Sequence, residues 1–185
     1  MRFLLKVILI SIIYYACEPS DELSEAKSQQ ASDPINIENY EEYILVNMDS
    51  KQMIFGAERK NQEENNIGAK LVVKYKPFGA PYHSLVIWGG LEDKSYREYQ
   101  RIGSSIEEFE GTGIYKTGIS SGNNCNFFHF GTSWHSHYDS DESGYIEITL
   151  WDEETVEGNF DILVYNANDK LQTKNLTGSF LLKVK

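Results

Sequence analysis

Residues 134–139 read Trp-His-Ser-His-Tyr-Asp, and their side-chain types could do more chemistry than those of any other stretch. In an extended chain His135 and His137 point to one face, and Asp139 follows on it. Two imidazoles so spaced can share a Zn²⁺, with His129 or His83 as further ligands. The plainer account is a polar loop whose histidines meet water, and we prefer it. Asp139-Ser-Asp-Glu-Ser-Gly144 partly matches an oxygen-rich calcium loop, with Asp139, Asp141 and Ser143 as alternate ligands. Leu150 stands where that loop needs a bidentate glutamate, so an ordinary Asp/Ser/Gly turn is the simpler reading.

Gly118-Ile-Ser-Ser-Gly122 has the letters of a nucleophile elbow, with Ser120 as the nucleophile. An elbow needs a strand, a strained turn and a helix. Here Asn123-Asn-Cys-Asn-Phe-Phe128 follows without helical period, so we assign no catalytic residue. Aromatic side chains offer a different chemistry, since exposed rings stack on sugars or anchor a protein partner. Trp134 and Tyr138, set among Ser, His and Asp, are the candidate ligand-binding residues. Phe128 and Phe130 are expected in the core, and Cys125 reads as a small buried hydrophobe. Nothing in the chain implies a cofactor.

These residues must be positioned by strands. From Lys51 onward the hydrophobic period is two. It predicts strands over 52–58, 70–75, 82–88, 101–109, 124–132, 145–151, 157–166 and 176–184, with Gly-, Pro- and Asn-rich turns between them. Residues 39–49 suit either a short helix or the entry to the first strand. The connections are too short for crossover helices, so the fold class is all-β and antiparallel. About eight strands make a sandwich or a barrel, and pattern alone does not separate the two. In the 145–151 strand, Ile146, Ile148 and Leu150 should face one way and Tyr145, Glu147, Thr149 and Trp151 the other. The last forty residues read as two successive hairpins. In them Gly158-Asn-Phe160 and Gly178-Ser-Phe180 repeat one step, each glycine making room for a neighbouring aromatic.

The amino terminus gives an address. Arg2 and Lys6 precede an apolar run from Val7 to Ala16, too short to span a bilayer and suited to a signal peptide. Tyr14-Tyr-Ala-Cys17 resembles a lipobox at Ala16 and Cys17, while the two tyrosines depart from it. The resemblance implies acylation of Cys17, and two or more acyl chains make a stable membrane anchor. Residues 1–16 are then the signal, 17–37 a flexible tether poor in hydrophobes, and 38–185 the all-β domain. Glu18, Asp21 and Glu22 resemble the export signal of surface-displayed Bacteroidota lipoproteins, and read equally well as a solvated linker. A net charge of −11 disfavours nucleic acid as a partner.

Five segments, in order, carry a wider resemblance: Trp88-Gly-Gly90, Phe109-Glu-Gly-Thr-Gly-Ile-Tyr115, Ser143-Gly-Tyr-Ile-Glu-Ile-Thr149, Val156-Glu-Gly-Asn-Phe160 and Asn175-Leu-Thr-Gly-Ser-Phe180. Together they resemble a family of small Bacteroidota lipoproteins with an all-β domain of no assigned function. The likeness covers roughly Lys51 to Lys185 and departs at Leu176-Thr177. It implies a fold and an outer-membrane address, facing the periplasm or the cell surface, and brings no activity with it. The expected function is a non-enzymatic binding or interaction module for a glycan or protein partner. The alternative is a small envelope hydrolase or metal-binding protein built on His135, His137 and Asp139.

Overall fold

Alternation of buried and exposed side chains organises this chain, and the last strand pair shows it best. A computed structural model describes residues 34–58, 66–91, 100–137 and 141–185, with backbone alone at 57, 58 and 91. Eleven strands lie among them: β1 (Tyr40–Met48), β2 (Lys51–Glu58), β3 (Ile67–Tyr75), β4 (Pro81–Leu91), β5 (Gln100–Ile106), β6 (Gly113–Thr117), β7 (Asn124–His129), β8 (Thr132–His135), β9 (Gly144–Trp151), β10 (Thr155–Asn166) and β11 (Thr173–Lys183). Val156, Phe160, Ile162 and Val164 of β10 and Leu176, Phe180 and Leu182 of β11 are buried on one face, with their sequence neighbours more exposed on the other. A single 3₁₀ turn, Ile37–Asn39, leads into β1, and Ile35 N–H already bonds Gln52 Oε1 at 3.1 Å.

All named strand pairs are antiparallel and form one sheet in the order β2-β1-β11-β10-β8-β7-β5-β4-β3. β10 is long enough to pair with β9 along its first part and with β8 at its end, so β9 and β6 branch from the same edge. The sheet curls into a half-barrel. Its edge strand β3 approaches the residues after β11, where Ala69 bridges Val184 in parallel and Lys185 N–H bonds Ala69 O at 2.8 Å. β4 reaches the inner face of β1 and β2: a Cβ on Gly89 would lie 3.0 Å from Phe55 and 3.1 Å from Ile44. The core fills the curl, from Ile44 and Phe55 through Leu85, Phe127 and Ile146 to Phe180.

The structure exceeds the eight predicted strands in three places. Residues 40–48 are a strand, β1. Gly113–Thr117 is a further strand, β6. The predicted 124–132 strand is a hairpin, turning at Phe130 (φ 46°) and Gly131 (φ 78°) into β8. Two consecutive left-handed residues make the tight turn whose twist suits a hairpin. Phe130, expected in the core, therefore sits at the tip with 58% exposure. Another correction concerns β9. Gly158 pairs with Ile148 and Glu157 with Leu150, so Thr149 is an extra residue. Such a bulge resets the alternation. Leu150 turns outward at 40% exposure, while Trp151 packs edge-on against Phe109, centroids 4.9 Å apart.

Candidate functional site

Trp134 is not a surface residue, contrary to expectation. It is 6% exposed within the core, paired with Phe127 across the β7–β8 ladder, with the Lys174 ammonium 5.2 Å above its ring. The polar neighbours that suggested a surface lie elsewhere by alternation. Ser133 and His135 point to the outer face, and Ser136 turns in to accept from the Cys125 backbone N–H at 2.8 Å. Tyr138 and Asp139 lie outside the described residues. His135 and His137 do come together, ring centroids 5.5 Å apart. Among the described residues no group of three or more His, Cys, Asp or Glu converges to hold a metal. His129 instead stacks on Phe127, two residues earlier on the same strand.

The Gly118–Gly122 stretch is a turn between β6 and β7, with no helix after it. Ser120 Oγ donates to Asp141 O at 2.6 Å, and Ser121 Oγ to Gly118 O at 3.1 Å. The hydroxyls hold loops together, and neither meets a base through those bonds. Of the calcium-type ligands, Ser143 is buried and donates to Thr117 Oγ1 at 3.1 Å, while Asp141 is exposed. Cys125 lines the core, and burial pushes its thiol up to about 12, far from a nucleophile's range.

Glu107, after β5, collects a second polar cluster. Its carboxylate pairs with Lys74 and accepts from Tyr82 (3.0 Å), Ser84 (3.3 Å) and Ser105 (2.7 Å). Burial by itself would raise this acid, but the bonds from Lys74, Ser105 and Tyr82 hold it below the usual carboxylate range. A carboxylate so satisfied is ionised at neutral pH and is no poised proton acceptor. It clamps β3, β4 and β5 together.

The cross-strand register assembles the remaining candidate. On the outer face Gly68 pairs with Trp88, Trp88 with Gly103, Gly103 with Asn126, and Asn126 with His135. This row crosses β3, β4, β5, β7 and β8, with a glycine on each side of the tryptophan. The two glycines differ. A Cβ on Gly68 would meet the Trp88 indole at 3.0 Å, so that glycine seats the ring. Among the described residues a Cβ on Gly103 would find nothing nearer than Ile87 O at 3.9 Å, so that glycine leaves a space.

The space is a groove of about 460 Å³. Trp88 forms one wall, Asn126 and His135 the other, and Arg101, Phe128 and Ser133 the next row along. The Arg101 guanidinium lies over the Phe128 ring at 5.9 Å, and Lys70 Nζ stands 5.9 Å from the Trp88 ring. The Nδ1–H of His135 donates to Asn126 Oδ1. Burial, then the charges of His137 and Arg101, lower the His135 pKa, so it enters the groove as a neutral hydrogen-bonding ring. Trp88, Arg101, Gly103 and Asn126 escaped the sequence-based site assignment because only register brings them together. No family model, no curated protein and no solved structure matches this chain.

Proposed function

We propose that this chain is a lipid-anchored, non-enzymatic binding module of the bacterial outer membrane, and that the outer groove over Gly103 is its ligand site. The observation that carries the reading is the open space at Gly103 beside Trp88. A glycine inside a strand weakens it by about 0.5–1 kcal/mol relative to alanine, and is expected where backbone needs room or a ligand approaches. Among the described residues no neighbouring side chain needs the room at Gly103, and we assign it to a ligand. The groove also has what small-ligand sites share, an aromatic wall and a few convergent polar groups. The anchor follows from Ala16-Cys17 at the end of the apolar run.

Gly103→Val tests the site directly. Valine suits a strand and would stand in the groove, so the fold should hold, with a stability change below about 1 kcal/mol. Ligands captured by the native protein from glycan and peptide arrays should be lost. Unchanged capture by a folded Gly103→Val protein would refute the groove as the site.

A further inference from the structure

We propose that the free edge of β3 pairs with β3 of a second copy of this chain, antiparallel and centred on Val73, joining two half-barrels into a dimer. The inference rests on neither the groove nor the lipid anchor. Backbone direction points there first. Successive residues of a strand turn their N–H and C=O to opposite sides. Ala69 O accepts from the Lys185 N–H and not from β4, so the odd-numbered residues of β3 face outward. Among the described residues nothing pairs with the main-chain groups of Leu71, Val73 and Tyr75 on that side. Such a row of unpaired N–H and C=O groups is a template for another strand.

The side chains at these positions are apolar and uncovered. Leu71 is 39% exposed, Val73 50% and Tyr75 76%, all on one face, and Phe78 in the following turn is fully exposed. Aromatic side chains carry about 150–250 Å² each, so Tyr75 and Phe78 alone expose about 350 Å². Two such stripes, with Leu71 and Val73 added, offer about 1,000 Å², the area at which a weak specific interface begins.

A second copy is the occupant because this edge matches itself. It is bounded on one side by Val184 and Lys185, which cover Ala69, and on the other by the Lys76–Gly79 turn. Antiparallel pairing about Val73 sets Leu71 against Tyr75 and Val73 against Val73, so all three free residues bond. Either neighbouring register leaves one of the three against the covered Ala69 or against Pro77, which has no N–H. Lysines usually guard an edge strand, but Lys74 and Lys76 are neutralised here by Glu107 and Glu108. β2, at the opposite end of the sheet, has no exposed large hydrophobe among its described residues. A β3–β2 contact would also repeat head to tail without closing, whereas β3 on β3 closes as a two-fold dimer.

In this register the two Val73 Cα atoms stand about 5.5 Å apart, within disulfide reach. Cys125 is buried, so Val73→Cys adds an accessible thiol to the full chain. Mild oxidation should give about tenfold more disulfide dimer from Val73→Cys than from wild type or Lys70→Cys, whose thiol lies far from its mate. Equal cross-linking of Val73→Cys and Lys70→Cys would overturn the proposal. Sedimentation velocity of the uncross-linked chain is the second reading. The native chain should form a dimer as concentration rises, and Val73→Lys should stay monomeric with an unchanged circular dichroism spectrum. A dimer that persists in folded Val73→Lys places the contact elsewhere and overturns the pairing. A native chain that never dimerises, yet captures array peptides that Val73→Lys loses, would assign the edge to a foreign strand and also overturn it.

Discussion

Phe160 and Gly178 face each other across the β10–β11 ladder, and the tip of the phenyl ring occupies the space a Gly178 side chain would need. Phe160 Cζ lies 2.5 Å from where a Cβ on Gly178 would be. The relation is reciprocal, because Phe180 faces Gly158 with its Cζ 2.6 Å from the corresponding point. Two Gly-x-Phe steps on antiparallel strands, paired in this register, lay each ring over the other's glycine. The carbonyls of Leu45 and Glu147 crowd the same positions from the flanking strands.

Gly178→Ala should therefore cost at least about 2 kcal/mol, since neither a phenyl ring in a packed core nor a backbone carbonyl can yield cheaply. Urea unfolding monitored by near-ultraviolet circular dichroism measures it. A loss under about 0.5 kcal/mol would show that the ring is not locked in place.

Truncating the two tryptophans should separate core from groove. Trp134→Ala removes a buried ring and should cost about 3–5 kcal/mol of stability. Trp88→Ala, half-buried on the outer face, should cost about 1–2 kcal/mol. Equal losses in thermal denaturation would contradict the assignment of opposite faces.

Glu107 should make the fold acid-sensitive. Its folded-state pKa lies below the ordinary value of 4.5, so its contribution is complete above that value and disappears as pH falls through the folded one. Charged hydrogen bonds of this kind contribute about 1–2 kcal/mol. Glu107→Gln should lose that amount at neutral pH and show a flatter decline of stability below about pH 4.5. Parallel acid limbs for both proteins would exclude Glu107 as a source.

Radiolabelled palmitate should enter the wild-type chain and not Cys17→Ala when both are expressed in a lipoprotein-processing bacterium. Equal labelling would remove the anchor from the proposed function.

Much of the strand layout was legible because burial on one face of a sheet imposes period two on the chain. The final three strands and the Gly-x-Phe packing follow from residues near one another in sequence. Legibility failed where local geometry broke the period. Phe130 enters a left-handed turn without an Asn-Gly signal, and Thr149 bulges out, exchanging the faces of Leu150 and Trp151. Trp134 looked exposed because its sequence neighbours are polar, yet neighbours in a strand point to the opposite face.

By itself, the sequence determined an all-β antiparallel chain, an acidic composition and a lipobox-like amino terminus, all properties of composition and short-range order. The tertiary structure decided the eleven-stranded half-barrel, the burial of Trp134 and the groove. Trp88, Gly103, Asn126 and His135 occupy four strands, and their adjacency is set by register, a relation between segments that no window of sequence contains. A shift of one residue in any of those pairings would turn the row inward and leave no groove.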